Sequence, residues 1–220
     1  MSLDEFGFEY WDKVINEVEI QTIKREISNL NQDIPRYGIR SADKLLPSVH
    51  KLAYSEKVLS KVEGIIGPSA KLARAVIFDK SPDKNWFVPW HQDRTVPLSQ
   101  KLESSEWKNW TVKRGILHAE APIKVLKNML TLRVDLDDTS PENGGMKFIE
   151  GTHERKIPAE ALSQLDKSAA KDCLRSAGDV FIMRPLLLHS SNKSTSAKPR
   201  QVIHLEFSSF KLPDGIHWAS

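Results

Sequence analysis

Apolar residues change their spacing along the chain, and the change falls at Pro68. Before it, Val14, Ile15, Val18, Ile23 and Ile27 recur among charged residues at helical intervals, predicting an amphipathic helix that ends near Leu30-Asn31. A second amphipathic helix is predicted over residues 54–66, stopped by Gly67-Pro68. Beyond Pro68 the apolar runs shorten and become strand-like. Residues 71–78 form such a run, followed by a loop, Lys80-Ser-Pro-Asp-Lys-Asn85, and then residues 86–91. Further strands are predicted at 129–136, 146–149, 179–183 and 201–207. Glu142-Asn143-Gly144-Gly145 reads as a hairpin turn and Gly151 as the end of the next strand. Residues 95–126 and 152–175 read as long irregular stretches, of the kind that serve as lids or binding loops. Helices followed by strands predict a mainly β fold with flanking helices, an antiparallel sandwich or jelly roll. One domain over residues 1–220 is expected, with 1–67 as a helical buttress and 68–210 as the β core.

Alternation within the strands sorts the polar residues. Thr131, Arg133 and Asp135 share one face, opposite Leu130, Leu132, Val134 and Leu136. Arg200, Val202, His204 and Glu206 share another. If that face lines a cavity, His204 and Glu206 are candidates for substrate contacts or a supporting pair; the plainer reading is a structural His–Glu pair.

Composition narrows the class. Apolar residues make up 40% and charged residues 28%, as in an ordinary globular protein. The net charge of +3 comes from 32 basic and 29 acidic residues, with no basic run interleaved with aromatics, so no nucleic-acid partner is expected. The segment Met1 to Trp11 carries Asp4, Glu5 and Glu9 and has no apolar signal-peptide core, and no apolar run is long enough to span a membrane. Cys173 is the only cysteine, which excludes an intramolecular disulfide and a thiolate metal cluster. A cytoplasmic protein with a small-molecule substrate is the natural expectation.

Three H-x-acid pairs could contribute to a metal site: His91-Gln-Asp93, His118-Ala-Glu120 and His204-Leu-Glu206. On a strand such a pair presents an imidazole and a carboxylate to one side, and a distant second histidine would complete a two-histidine, one-carboxylate set, the signature of non-haem Fe(II) oxygenases. Arg200 lies beyond His189, where a guanidinium fork could bind a carboxylate in bidentate fashion.

The stretches Phe78-Asp-Lys-Ser-Pro-Asp-Lys-Asn-Trp-Phe-Val-Pro-Trp-His-Gln-Asp93, Leu132-Arg-Val-Asp-Leu-Asp-Asp138, Asn143-Gly-Gly-Met-Lys-Phe-Ile-Glu-Gly-Thr-His153 and Gly178-Asp-Val-Phe-Ile-Met-Arg-Pro-Leu-Leu-Leu-His-Ser-Ser191 occur in this order. Together with Arg200 they resemble the phytanoyl-CoA dioxygenase family. The tail Leu212-Pro-Asp-Gly-Ile-His-Trp218 is similar to that of a compact bacterial-type subgroup. The resemblance implies a double-stranded β-helix and an oxidoreductase that uses Fe(II), 2-oxoglutarate and O2. By motif match it implies His91, Asp93 and His189 as iron ligands, Arg200 as the partner of the distal carboxylate of 2-oxoglutarate, and Ser191 as a further hydrogen bond there. Asp93 stands against a halogenating variant, which has a small residue at that position. Arg133 departs from the family, many members having Trp there; facing inward, it would meet the cosubstrate or substrate. Hydroxylation, with release of succinate and CO2, is the expected outcome. The alternative from another class is a catalytically silent jelly-roll module that binds a metal or ligand.

Other residues carry plainer expectations: His118 and Lys80 as solvated loop residues, Trp86 and Trp90 as core, His153 as part of a turn.

Overall fold

The computed structural model describes residues 3–31, 33–35, 38–81 and 84–219; Pro82 and Asp83 of the expected loop after Lys80 lie outside them. The chain opens with α1 (Leu3–Phe6), β1 (Phe8–Trp11), α2 (Glu17–Ser28), β2 (Ile39–Arg40), α3 (Ala42–Leu45), α4 (Pro47–Ala53) and α5 (Glu56–Ile66). The β region follows: β3 (Lys71–Lys80), β4 (Val88–His91), β5 (Thr95–Leu98), β6 (Lys108–Lys113), β7 (Ile116–Glu120), α6 (Ile123–Leu126), β8 (Met129–Asp135) and β9 (Met146–Ile149). A 3-10 turn (Thr152–Glu154) and α7 (Ala159–Gln164) precede β10 (Lys171–Asp172), β11 (Val180–Met183), β12 (Leu188–Ser191) and β13 (Arg200–Ser208).

A six-stranded antiparallel sheet, β1-β11-β8-β13-β3-β2, faces a four-stranded one, β10-β9-β12-β4, as a jelly roll. β8 lies inside the larger sheet and is buried along its whole length. Its two faces do different work. Leu130, Leu132 and Val134 pack outward against Ile20, Ile23 and Ile27 of α2 and Val58 and Val62 of α5. Thr131, Arg133 and Asp135 turn into the space between the sheets. At one end that space is filled by aromatics, Phe148 lying 4.6 Å from Phe8 and 5.0 Å from Phe181, centroid to centroid. The rest is an open polar pocket.

The N-terminal segment differs from a purely helical buttress, because β1 pairs with β11 and β2 with β3, extending the large sheet at both edges. Helix α2 starts later than the apolar stripe suggests. Asn16 and Glu19 form a reciprocal capping box, each side chain accepting from the other's backbone N–H, which sets the first turn at Glu17. The buried face is then Ile20, Ile23 and Ile27, and Val18 is left 75% exposed.

Residues 95–126 are not irregular. They form a third sheet, β5-β7-β6, and α6, packed around Val96, Leu98, Trp107, Ala119 and Leu126. Within 152–175 the chain forms a 3-10 turn, α7 and the short β10. The turn at 141–144 is present, but it makes no hairpin: it carries the chain from β8 in the large sheet to β9 in the small one. Gly144 there has φ +71°, and a Cβ would sit 2.7 Å from the Asn192 carbonyl oxygen, so only glycine fits. The C-terminal tail lies along β5, with the Ser99 N–H donating to the His217 carbonyl at 3.0 Å.

Candidate active site

His91 ends β4 and His189 lies on β12, and the two are direct cross-strand partners in the small sheet. Their rings lie 4.2 Å apart. Asp93, just past β4, is held by its backbone N–H donating to the Pro185 carbonyl at 2.8 Å. His91 Nε2 then lies 3.7 Å from Asp93 Oδ1, and His189 Nε2 3.8 Å from Oδ2. Two metal–ligand bonds of roughly 2.0–2.2 Å bridge such gaps. The three donor atoms lie within 4.8 Å of one another, the one such His/Cys/Asp/Glu group among the described residues.

Backbone contacts aim both imidazoles. His91 Nδ1 bonds the Pro89 carbonyl at 2.9 Å and His189 Nδ1 the Leu187 carbonyl at 2.8 Å, which places the proton on Nδ1 and leaves each Nε2 lone pair for a metal. Burial, then the neighbouring His91, push His189 down to about 4, so it is neutral at physiological pH. Burial opposes ionisation of Asp93, but His189, His91 and Arg74 outweigh it and hold its carboxyl below the ordinary value. Two imidazoles with Nε2 turned to one point and one ionised carboxylate suit a divalent iron.

Gln92, between the two candidate donors, is buried. Its amide nitrogen donates to the carbonyls of Leu186 at 2.7 Å and Arg155 at 2.9 Å, and its oxygen accepts from the Ile157 N–H at 2.9 Å and Arg94 at 2.8 Å. This amide ties the metal strand to the loops around it. Gln92→Leu strands several buried polar groups and is expected to cost about 2–4 kcal/mol of stability. An unchanged denaturation midpoint would show that those bonds contribute nothing.

The donor set opens into a pocket of 550 Å³ between the two sheets. Arg200, Ser191 and Arg133 all line one end of it. Arg200 is buried, and its Nε donates to the Asn143 carbonyl at 3.2 Å. Ser191 Oγ donates to the Gly144 carbonyl at 3.1 Å. Arg133 faces inward but is committed to Asp135 at 2.6 Å, to Thr139 at 3.1 Å and to the Cys173 sulfur at 3.3 Å. Lys80, the cross-strand partner of Arg200, is also here, and is not a solvated loop residue. It is fully buried, donating to Ser191 Oγ and, at 2.7 Å, to the Asn192 carbonyl, with its ammonium 5.2 Å from the Trp86 ring. Burial, Arg200 and Arg133 lower Lys80 to about 7; burial and then Arg133 lower Arg200 to about 9.

Other expectations change. His204 lines the pocket without touching Glu206: its ring stands edge-on to Phe78 at 4.9 Å, while Glu206 pairs with Arg74 at 2.5 Å. Trp86 and Trp90 are half-buried, Trp86 in the pocket wall, so neither is core. His153 sits in the 3-10 turn and bonds the Asp4 carbonyl at 3.1 Å. His118 is buried on β7, not a surface loop residue, and lies outside the pocket wall. Burial lowers it to about 4. An unfolded histidine takes up a proton near pH 6.5 while this one stays neutral, so His118 contributes stability above pH 6.5 that is lost as pH falls towards 4. His118→Gln is therefore expected to remove roughly 1–3 kcal/mol of acid sensitivity in that window, read from denaturation midpoints against pH.

Pairing across β3 and β13 was invisible in the linear sequence, and so were Arg40, Arg74 and Lys113 as pocket residues. The even-numbered alternation of Arg74, Val76, Phe78 and Lys80 was the available signal.

A family model described as phytanoyl-CoA dioxygenase (PhyH) matches residues 9–202. Among solved structures, HygX from Streptomyces hygroscopicus with nickel and 2-oxoglutarate bound has a TM-score of 0.67 and 17% identity, over 94% of this chain and 83% of that one. The same protein is also known with hygromycin B bound, at a TM-score of 0.66 and 18% identity, over 94% and 84% of the two chains. EctD from S. alaskensis with bound Fe has a TM-score of 0.72 and 17% identity, over 94% and 74%. At these identities the structures share the fold. No curated protein matches the chain.

Proposed function

The chain belongs to the phytanoyl-CoA dioxygenase family, and from that premise we propose that it is an Fe(II)- and 2-oxoglutarate-dependent dioxygenase that hydroxylates a small molecule. The observation that carries this reading is one pocket of 550 Å³ joining a His-Asp-His donor set to a separate cluster of buried cations. Bound Fe(II), with 2-oxoglutarate and O2, would supply oxidative decarboxylation to succinate and CO2 coupled to attack on a substrate C–H bond.

The chain's own residues divide the remaining work. His91, Asp93 and His189 would hold the iron, and three protein donors leave other coordination positions for exchangeable ligands. Arg200 would pair with the distal carboxylate of 2-oxoglutarate through its planar fork, with Ser191 adding a hydrogen bond beside it. Among the described residues neither Arg200 nor Lys80 has a carboxylate within ion-pair distance. Their repulsion is a cost that an incoming carboxylate removes. Arg133, held by Asp135, adds positive potential at the same end. Val76, Phe78, Val88 and Val202 give the pocket an apolar wall that limits water around the reacting centre. The volume suits a small molecule, since ligand pockets run to roughly 300–1,000 Å³. No described helix is long and apolar enough to cross a membrane. We place the protein in the cytoplasm, with Cys173 reduced and no nucleic-acid partner.

The test is succinate formation from 2-oxoglutarate by the purified chain with Fe(II) and O2, with and without candidate substrates. Iron-dependent succinate, even uncoupled, upholds the reading. Its absence in a chain that binds Fe(II) and 2-oxoglutarate would leave a silent binding module in its place.

A further inference from the structure

The pocket has a second cationic end. Arg74, Val76, Phe78 and Lys80 of β3 alternate into it, and so do Arg200, Val202, His204 and Glu206 of β13. Their register sets Arg200 beside Lys80 at one end and Glu206 beside Arg74 at the other, with an apolar stretch between. At about 3.3 Å per residue, Lys80 and Arg74 lie roughly 20 Å apart along the strand. A short diacid seated at Arg200 leaves the Arg74 end unfilled.

Two further cations converge there. Arg40 comes from β2, its register partner being Val76, and Lys113 ends β6 in the third sheet. Arg74 is fixed by two hydrogen bonds to Glu206, from Nε at 2.9 Å and from the terminal nitrogen at 2.5 Å. Arg40 and Lys113 have no carboxylate within ion-pair distance among the described residues. The other acids on this wall are engaged: Glu120 pairs with Lys156 at 2.8 Å, and Asp93 belongs to the metal donor set. Burial and then Arg74 lower Arg40, and burial, Arg40 and Arg74 lower Lys113. Like charges are thus crowded here beyond what Glu206 offsets.

We propose that the primary substrate is a small organic acid whose carboxylate or phosphate-like group docks between Arg40 and Lys113, at the end of the pocket opposite Arg200. Arg74, locked on Glu206, forms the rigid back of this seat, and the metal donor set lines the same pocket, with Arg74 among the charges acting on Asp93. The inference rests on the dioxygenase reading for what fills the Arg200 end.

The experiment is calorimetric titration of sodium sulfate and sodium acetate into the full chain, loaded anaerobically with Fe(II) and saturating 2-oxoglutarate. Anion binding is expected, and it should weaken roughly 10-fold or more in Arg40→Gln/Lys113→Gln. Lys113 is exposed, so Lys113→Glu is a second variant without a folding penalty and should abolish binding with an unchanged circular dichroism spectrum. Affinity for 2-oxoglutarate should survive in both variants. Tighter sulfate identifies a phosphate- or sulfate-bearing substrate, tighter acetate a carboxylic acid. No anion binding in the 2-oxoglutarate complex, or binding unchanged in the variants, overturns the proposal. Failure of the wild-type chain to bind 2-oxoglutarate overturns the dioxygenase reading instead; anion binding lost in the variants would still uphold the seat.

Discussion

Replacing His189 with alanine is expected to abolish Fe(II)-dependent turnover of 2-oxoglutarate and to strip the iron on desalting, while the chain stays folded. The ring is buried and aimed at the donor set by its Nδ1 contact to the Leu187 carbonyl. Removing an outer hydrogen-bond partner of a metal ligand already costs roughly 10–100-fold in metal affinity or activity. Losing one of three donors should cost more. His91→Ala and Asp93→Asn are expected to behave alike; the amide keeps the shape of the carboxylate and loses its charge. His118→Ala and His204→Ala serve as controls. His118 bonds the Ile116 carbonyl at 3.0 Å away from the donor set, and His204 packs on Phe78, so both variants should retain iron. Iron content after desalting and succinate yield are the measurements. Full activity in a folded His91, Asp93 or His189 variant would displace the site, and iron lost with His118 or His204 would move it there.

The strands β8, β9, β11 and β13 were legible as short apolar runs bounded by turn residues, whereas β10 and β12 were not. Leu130, Leu132 and Val134 against Thr131, Arg133 and Asp135 is the clearest case; alternation put Arg133 on the polar face, and the burial of both faces of β8 shows that this face turns inward. The donor set was not legible from alternation, which left three H-x-acid pairs open; the family resemblance singled out His91, Asp93 and His189, and the structure brings these three together where β4 ends. What escaped was whatever long-range pairing decides. β1 and β2 are short edge strands with no period of their own, stabilised by β11 and β3. The third sheet was missed because β6 is mostly exposed and so carries no alternating apolar face. Glu206 was placed on the face of Arg200 only, with His204 as its expected partner; its actual partner Arg74 lies on β3 and could be found only through the register. Lys80 looked like a loop lysine because its burial comes from β12 and the chain after it, through Ser191 and Asn192.

Arg200→Ala is expected to raise the Michaelis constant for 2-oxoglutarate by roughly 30-fold or more, because truncating one partner of a buried charge pair costs about 2–5 kcal/mol. Arg200 is buried and its Nε is spent on the Asn143 carbonyl, which fixes the rest of the guanidinium towards the pocket. Arg200→Lys should recover only part of the loss, since an ammonium lacks the planar fork. Iron binding should survive both changes, as Arg200 is not part of the metal donor group. Lys80 sets how large the effect becomes. After burial, Arg200 is the largest influence lowering its ammonium to about 7. Deleting Arg200 therefore makes Lys80 a better cation, able to take over some of the carboxylate's charge. Lys80→Ala in the Arg200→Ala background should then raise the Michaelis constant further, and residual binding in Arg200→Ala alone should weaken as pH rises and Lys80 loses its proton. An unchanged Michaelis constant in folded Arg200→Ala, with a large rise in Lys80→Ala, would transfer the anchoring role from the arginine to the lysine.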